Sequence, residues 1–118
     1  MKKFIITIFT LLLFGNLGVN AMEENFTQVR ASHILVATEG QAKAIIMRLK
    51  NGEDFAKLAK EYSSCPSGVG NGGDLGYFGR NMMVKPFEDA SFNLPVGAIS
   101  EPVQTDFGWH VIKVVDKR

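Results

Sequence analysis

Hydrophobic residues dominate two short runs, residues 29–36 near the start of the chain and residues 109–115 near its end. Such runs are typical of β-strands, in which alternate side chains lie on one face. His33 lies in the first run and His110 in the second, and they are the two histidines of the chain. If the two strands pair, both imidazoles can lie on one surface of the sheet, and this arrangement indicates a functional site.

Two amphipathic helices are predicted after the first strand. Apolar residues recur at i, i+3, i+4 and i+7 in each of them, Asn51-Gly52 ends the first, and Glu53 and Asp54 suit the positive N-terminal end of the second. Each helix has one apolar stripe, so both should lie on one side of a sheet. The stripes are Ala42, Ile45, Ile46 and Leu49 in the first helix and Phe55, Leu58, Ala59 and Tyr62 in the second.

The rest of the chain predicts a loop followed by short elements. Residues 63–73 are too rich in turn formers for a helix or strand interior. The following segments predict a strand at 74–78, a helix at 84–92, and an antiparallel pair at 99–104 and 109–115 joined by a turn at 105–108. This order predicts an α+β domain with helices around a small antiparallel sheet.

The first 21 residues are typical of a secretory signal peptide. Two lysines precede an apolar run from Phe4 to Leu13, and Val19-Asn20-Ala21 places small residues at a cleavage site. The alternative is an uncleaved membrane anchor, but the strongly apolar stretch ends at Phe14 and is shorter than the roughly 20 residues of a spanning helix. We therefore predict a signal peptide at 1–21, a flexible leader at 22–28 and a folded domain at 29–118.

Composition and charge limit the classes of function. The 118 residues are 46% hydrophobic and 21% charged, which is ordinary for one globular domain. Removing residues 1–21 changes the net charge from +1 to −1, so the domain has no basic field with which to collect nucleic acid. The single cysteine, Cys65, cannot form an internal disulfide, and stability must come from the core.

Two familiar kinds of site are rejected. Gly68, Gly70 and Gly73 match G-x-G-x-x-G, but this segment follows a helix, whereas a dinucleotide site needs it after a strand and before a helix. Two histidines and one cysteine lack the spacing of a metal site. We therefore predict neither cofactor nor metal.

Five ordered blocks of the sequence resemble the parvulin family of peptidyl-prolyl cis/trans isomerases, and the resemblance covers residues 30–118. Several ordered blocks are far more specific than one short motif. The blocks are Ala-Ser-His-Ile-Leu-Val at 31–36, Asn-Gly-Glu-Asp-Phe-Ala-Lys-Leu-Ala-Lys-Glu-Tyr-Ser at 51–63, Gly-Gly-Asp-Leu-Gly-Tyr-Phe at 72–78, Met-Val-Lys-Pro-Phe-Glu-Asp-Ala-Ser-Phe at 83–92 and Phe-Gly-Trp-His-Val-Ile-Lys-Val at 107–114.

The resemblance implies a fold and a set of site residues. The fold is an FKBP-like, four-stranded antiparallel sheet surrounded by about four helices. The implied catalytic residues are His33, Cys65, Thr105 and His110. The two histidines and Thr105 are expected to form a hydrogen-bonded scaffold, and Cys65 is expected to form a polarizable wall near the reacting carbonyl. The implied residues of the proline pocket are Leu75, Met83, Phe87 and Phe107.

These residue types suit rotation about an X-Pro bond. The twisted transition state loses amide resonance and is less polar than the planar amide, so an apolar pocket favours it. One branch of the family prefers a phosphorylated residue before proline and uses basic residues just after the first strand. Here residues 37–40 form a short loop that contains Glu39, so the sequence indicates no phosphate preference.

Two other functions remain open from the residues alone. A cysteine hydrolase would pair Cys65 with a histidine, although Pro66 argues against a helix N-terminus that activates the thiol. A polypeptide-binding chaperone module with little isomerase activity is the closer alternative. In either parvulin-like role the partners are unfolded or extended proline-containing polypeptides, and we expect a monomer with no stable membrane span once the signal is cleaved. The expected location is the periplasm, with secretion or anchoring by the signal as alternatives.

Overall fold

The computed structural model describes residues 25–118. The predicted signal peptide at 1–21 and residues 22–24 of the predicted leader lie outside the described residues. Within 25–118, none of the helices combines the length and the apolar character that a membrane span requires.

Four strands form one antiparallel sheet: β1 (Val29–Val36), β2 (Asp74–Phe78), β3 (Val103–Thr105) and β4 (Gly108–Lys117). Their order across the sheet is β2-β1-β4-β3, so the first and last strands form its centre. The β1–β4 pair is antiparallel along the whole of β1, with one bulge beside Arg30. The predicted α+β fold with a four-stranded antiparallel sheet is confirmed.

Four helices pack around the sheet: α1 (Glu39–Lys50), α2 (Phe55–Tyr62), α3 (Pro66–Asn71) and α4 (Lys85–Asn93). The first begins with a capping box between Thr38 and Gln41, and the second begins where Asp54 accepts the Lys57 N–H at 3.0 Å. The cap at Thr38 occupies the loop after β1, which leaves that loop only two residues, 37 and 38, between strand and helix.

The two faces of the sheet bury separate hydrophobic clusters. On one face Ile34, Val36 and Val111 pack against α1 and α2, as the apolar stripes predict. On the other face Ala31, Ile112 and Val114 pack against α4 and Phe78 of β2. Because side chains alternate along a strand, the second face is also the face of His33 and His110.

The sequence interpretation of residues 63–73 as an irregular loop is wrong in part, because α3 forms within it. Pro66 occupies the first turn, where its missing N–H costs nothing and its fixed φ suits the helix. Gly68 allows α3 to pack on α2, since a Cβ there would lie 2.6 Å from the Ala59 carbonyl oxygen. A helix N-terminus therefore does follow Cys65, which the sequence interpretation of Pro66 did not expect.

The boundaries of three predicted elements also differ, and one of them, the strand predicted at 109–115, extends from Gly108 to Lys117. The strand predicted at 99–104 pairs regularly only from Val103, while Ile99 forms an isolated bridge with Lys113. Pro102 lies between them and has no N–H for a ladder, which explains the late start. The last helix begins at Lys85 and not at 84.

The end of the predicted leader is held on the domain. Phe26 stacks on Phe92 with ring centroids 5.8 Å apart. The backbone N–H groups of Thr27 and Gln28 both donate to the Arg118 carbonyl oxygen, at 2.9 and 2.8 Å. These contacts place residues 26–28 with the folded domain and not with a flexible leader.

Candidate active site

The two histidines meet on the α4 face of the central strands. In the β1–β4 register His33 lies opposite Ile112 and Leu35 opposite His110, so the imidazoles are diagonal neighbours. Their Nδ1 atoms lie 3.0 Å apart and the rings stack at an interplanar angle of 18°. Both residues are about 95% buried. The predicted meeting of the imidazoles is therefore present in the structure.

Thr105 extends the contact into a short hydrogen-bonded chain. Its Oγ1 lies 2.7 Å from His110 Nε2 and also accepts the Phe107 N–H at 3.1 Å. These bonds close the turn between β3 and β4, and they link the buried imidazole pair to the backbone of Phe107 at the surface.

The protonation of the two imidazoles follows from one rule: when two nitrogens share a hydrogen bond, only one of them carries the proton. If His33 Nδ1 carries it, His110 Nε2 donates to Thr105. If His110 Nδ1 carries it, the Thr105 hydroxyl donates to His110 Nε2. In both cases His33 Nε2 is buried and has no hydrogen-bond partner among the described residues.

Burial keeps the histidines neutral. It lowers the pKa of His33 to about 4, with a smaller contribution from the neighbouring His110, and it lowers the pKa of His110 to about 4 as well. Both imidazoles are therefore uncharged at neutral pH, and the site presents neutral dipoles and not a cation.

The histidines lie in the wall of an apolar cleft of about 470 Å³. Phe87 of α4 is 3% exposed and directs its ring edge-on to both imidazoles, with centroid distances of 5.4 Å to His33 and 5.2 Å to His110. No lysine, arginine or carboxylate is among the described residues that line the cleft. The lining consists of His33, Leu35, Ser64, Cys65, Pro66, Leu75, Met82, Met83, Val84, Phe87, Phe107 and His110.

Cys65 lies in the cleft wall as the residue that precedes α3. Its Sγ accepts a hydrogen bond from the Ser67 hydroxyl at 3.3 Å, and its N–H donates to Ser63 Oγ at 3.2 Å. The hydrogen bonds described for the imidazoles go to each other and to Thr105. The nucleophile–base contact of a cysteine hydrolase is therefore not among the described hydrogen bonds.

The sequence-derived site residues thus come together, with one distinction. Seven of them line the cleft, whereas Thr105 lies behind His110 and beside a second, smaller depression with Asp106. Five other residues of the cleft lining were not predicted from the sequence: Leu35, Ser64, Pro66, Met82 and Val84. Among residues 25–118 no group of three His, Cys, Asp or Glu side chains is arranged to hold a metal ion.

Gly73 holds β1 in place beneath the site, and we expect Gly73→Ala to destabilise the protein by about 2–3 kcal/mol. Its carbonyl oxygen accepts the His33 N–H at 2.9 Å, its φ is +90°, and a Cβ would lie 2.5 Å from the His33 carbonyl oxygen. Gly40→Ala in α1 is the matched control, because nothing lies within 4 Å of its Cβ position. Urea unfolding should show a gain of about 0.5 kcal/mol for the control. Equal stabilities of the two variants would contradict the expectation.

Comparison with known proteins places this geometry in context. The family model described as PPIC-type PPIASE domain matches residues 17–118. A foldase protein PrsA of Geobacillus kaustophilus is 58% identical over 90 residues, which are 76% of this chain and 32% of that protein. The chain therefore spans about a third of the length of the curated relatives it matches.

Solved structures give the same match. The crystal structure of the peptidylprolyl isomerase PrsA from Bacillus cereus has a TM-score of 0.76 and 48% identity, over 86% of this chain and 39% of that one. The solution structure of NmPin, the parvulin of Nitrosopumilus maritimus, has a TM-score of 0.70 and 50% identity. That match covers 76% of this chain and 97% of the Nitrosopumilus protein.

Proposed function

The chain belongs to the PPIC-type, or parvulin, family of peptidyl-prolyl cis/trans isomerases, and we propose on this basis that it accelerates rotation about X-Pro bonds in polypeptides that are folding. The observation that supports this most directly is the neutral His33–His110 pair in the wall of a cleft whose described lining contains no charged side chain. The reaction needs no cofactor, since no covalent bond is made or broken.

The mechanism rests on differential binding. Rotation of an X-Pro bond has a barrier of roughly 18–20 kcal/mol because the planar amide is stabilised by resonance. The twisted amide is less polar, so a cleft with Leu75, Met83 and Phe87 around the proline ring stabilises it relative to the planar form. Surrounding water would instead favour the planar amide, and the apolar walls exclude it.

The polar residues orient the peptide and do not transfer protons. Because the imidazoles share one proton between their Nδ1 atoms, the His33–His110–Thr105 chain fixes both rings without an ionised group. A charge at this position would favour the polar planar amide. Cys65 contributes a polarizable wall, with its thiol held by Ser67.

The rim of the cleft indicates the class of client. Met82, Val84 and Phe107 are 66%, 42% and 71% exposed, and all three line the mouth of the cleft. Exposed apolar side chains grouped around a cleft are typical of a binding surface. The clients are therefore extended, unphosphorylated segments with apolar residues beside the proline, because a phosphate would meet no arginine or lysine in the described lining.

Cis/trans exchange of X-Pro peptides, measured by NMR, tests the activity. We expect acceleration by the chain, and we expect Phe107→Ala to weaken binding of peptides with apolar flanks about fivefold, since one rim contact contributes roughly 1 kcal/mol. Phe107 is 71% exposed, so stability should not change. Met47→Ala, on the exposed surface of α1, is the control and should leave exchange unaltered.

A polypeptide-binding chaperone module is the second candidate function, and the exposed rim favours it as well. The same experiment separates the two. Acceleration by the unmodified chain supports the isomerase, whereas peptide binding without acceleration refutes it and leaves the chaperone.

We also propose export and action as a monomer in the periplasm, with secretion and anchoring as alternatives. The apolar run and cleavage pattern in residues 1–21 support export. Mass measurement of the chain recovered from the exporting cell tests cleavage after Ala21, and an uncleaved product would favour the anchored form.

A further inference from the structure

Glu88 is a buried carboxylate of α4 that the proposed mechanism does not use. It follows Phe87 directly, yet it is not among the residues that line the cleft. Its side chain is only 6% exposed. Carboxylates are rarely buried unless they are paired or hydrogen-bonded, so its partners indicate what it does.

Both oxygens of Glu88 bind the segment that precedes α4. Oε1 accepts the backbone N–H of Asn81 at 2.6 Å, and Oε2 accepts from the Arg80 guanidinium at 3.2 Å. The Asn81 N–H, with the Arg80 charge, lowers the pKa of Glu88, so the carboxylate is ionised at neutral pH. The Arg80 guanidinium also lies 4.0 Å from the centre of the Phe92 ring.

The segment held in this way, residues 79–84, carries part of the cleft wall. Asn81 has a φ of +68°, an unusual conformation for a residue other than glycine. The following Met82 accepts the Gly79 N–H on its Sδ at 3.2 Å, and both Met82 and Met83 line the cleft. The turn at Asn81 thus decides where the two methionines lie.

We propose that Glu88 is a positioning residue for substrate binding: by accepting the Asn81 N–H, its carboxylate holds residues 79–84 in the conformation that places Met82 and Met83 in the cleft. The inference rests on the proposed function for the nature of the substrate. Two neighbouring residues of α4 would then form different parts of the cleft. Phe87 lines it directly, and Glu88 holds the segment that carries the two methionines.

Two substitutions isolate the hydrogen bond. Glu88→Leu removes the acceptor with little change in volume, whereas Glu88→Gln retains an oxygen for the Asn81 N–H. In the full chain labelled with ¹³C at the methionine methyl groups, we expect Glu88→Leu to move the Met82 and Met83 signals. It should also weaken binding of a short apolar X-Pro peptide about tenfold and leave the imidazole signals of His110 unchanged. Glu88→Gln should restore binding to within about twofold.

Asp89→Ala is the matched control, because Asp89 is the next residue of α4 and forms an exposed ion pair with Lys85 at 2.9 Å. Unchanged methyl signals and affinity in Glu88→Leu would overturn the proposal, as would an equal response in Asp89→Ala or failure of Glu88→Gln to restore binding. If Glu88→Leu does not fold, hydrogen exchange of the Asn81 amide in the unmodified chain decides: protection supports the proposal and free exchange overturns it.

These readouts do not depend on turnover. A chain that binds the peptide but does not accelerate proline exchange would refute the isomerase function and would leave the Glu88 proposal standing.

Discussion

Lowering the pH from 6.5 to 4.5 is expected to reduce the free energy of unfolding by about 4 kcal/mol through the two histidines alone. Both folded-state pKa values are about 4, whereas the ordinary value is 6.5. Above pH 6.5 the imidazoles are neutral in the folded and the unfolded chain, so they add no pH dependence. Below pH 6.5 the unfolded chain binds protons that the folded chain excludes, and stability falls until the folded-state pKa is passed.

This pH window distinguishes histidine from carboxylate effects. The ordinary pKa values of Asp and Glu are 3.8 and 4.5, and the pKa values of Asp74 and Glu53 are lowered by their arginine partners. The loss of stability from these carboxylates therefore begins near pH 4.5 and continues below it. Urea unfolding at pH steps between 4.5 and 7.5 measures the effect, with NMR of the imidazole protons as the site-specific check. Folded-state titration of His33 or His110 near pH 6.5 would contradict it.

Phe87→Ala is expected to reduce the free energy of unfolding by about 3–5 kcal/mol and to abolish measurable isomerisation. Phe87 is 3% exposed and packs against Phe78 as well as against both imidazoles. Its removal leaves a cavity between α4 and the central strands and takes away a ring from the cleft in which we propose that the substrate proline binds. Urea unfolding and peptide exchange, both measured at a low temperature at which the variant is folded without urea, check the two effects.

Phe92→Ala provides the control for this loss. Phe92 is 5% exposed on the same helix and contacts Phe26 and Phe78, so its stability cost should be similar. It is not among the described lining of the cleft, so folded Phe92→Ala should retain far more activity than folded Phe87→Leu. Phe87→Leu preserves more of the volume and should fold while remaining nearly inactive. Equal activity of folded Phe87→Leu and Phe92→Ala would show that Phe87 only supports the fold.

The regular elements could be predicted because local pattern and tertiary packing agree in them. The boundaries predicted for β1 and β2 are those of the structure, and the apolar stripes of α1 and α2 face the sheet as expected. The predicted stripes are buried at Ala42, Ile45, Ile46, Phe55, Leu58 and Ala59 and partly buried at Leu49, whereas Tyr62 is 50% exposed. Periodicity therefore predicts which face of each helix meets the sheet, but not the burial of every residue in the stripe.

The short helix α3 could not be predicted from composition because one of its glycines, Gly68, is required by tertiary packing. Gly68 and Gly70 weaken a helix intrinsically, but Gly68 is buried where any side chain would meet Ser63 and Ala59. Tertiary contact therefore outweighs propensity here. The one local signal was Pro66, which suits a first helical turn.

The parts of the candidate site that could be predicted are those with residue types that are unusual in their sequence context. Residues of common types in common contexts could not be recognised. Two histidines in apolar strands attract attention, and the resemblance to parvulins supplied Leu75, Met83 and Phe87. Met82 and Val84 gave no such signal, since exposed apolar residues are common on protein surfaces. Glu88 reads as a solvated helix residue until its contact with the Asn81 N–H is seen. These positions depend on the path of residues 79–84, which no periodic pattern describes.

The central place of β1 and β4 has a consequence for biosynthesis. The two imidazoles are separated by 77 positions along the chain, and their strands are the middle pair of the sheet. A nascent chain that has not yet delivered Gly108–Lys117 lacks both the partner of its first strand and the second half of its cleft. The sheet and the cleft must therefore form together, after translation has passed β4, and until then the first strand lacks the central partner that would hold it in a folded sheet.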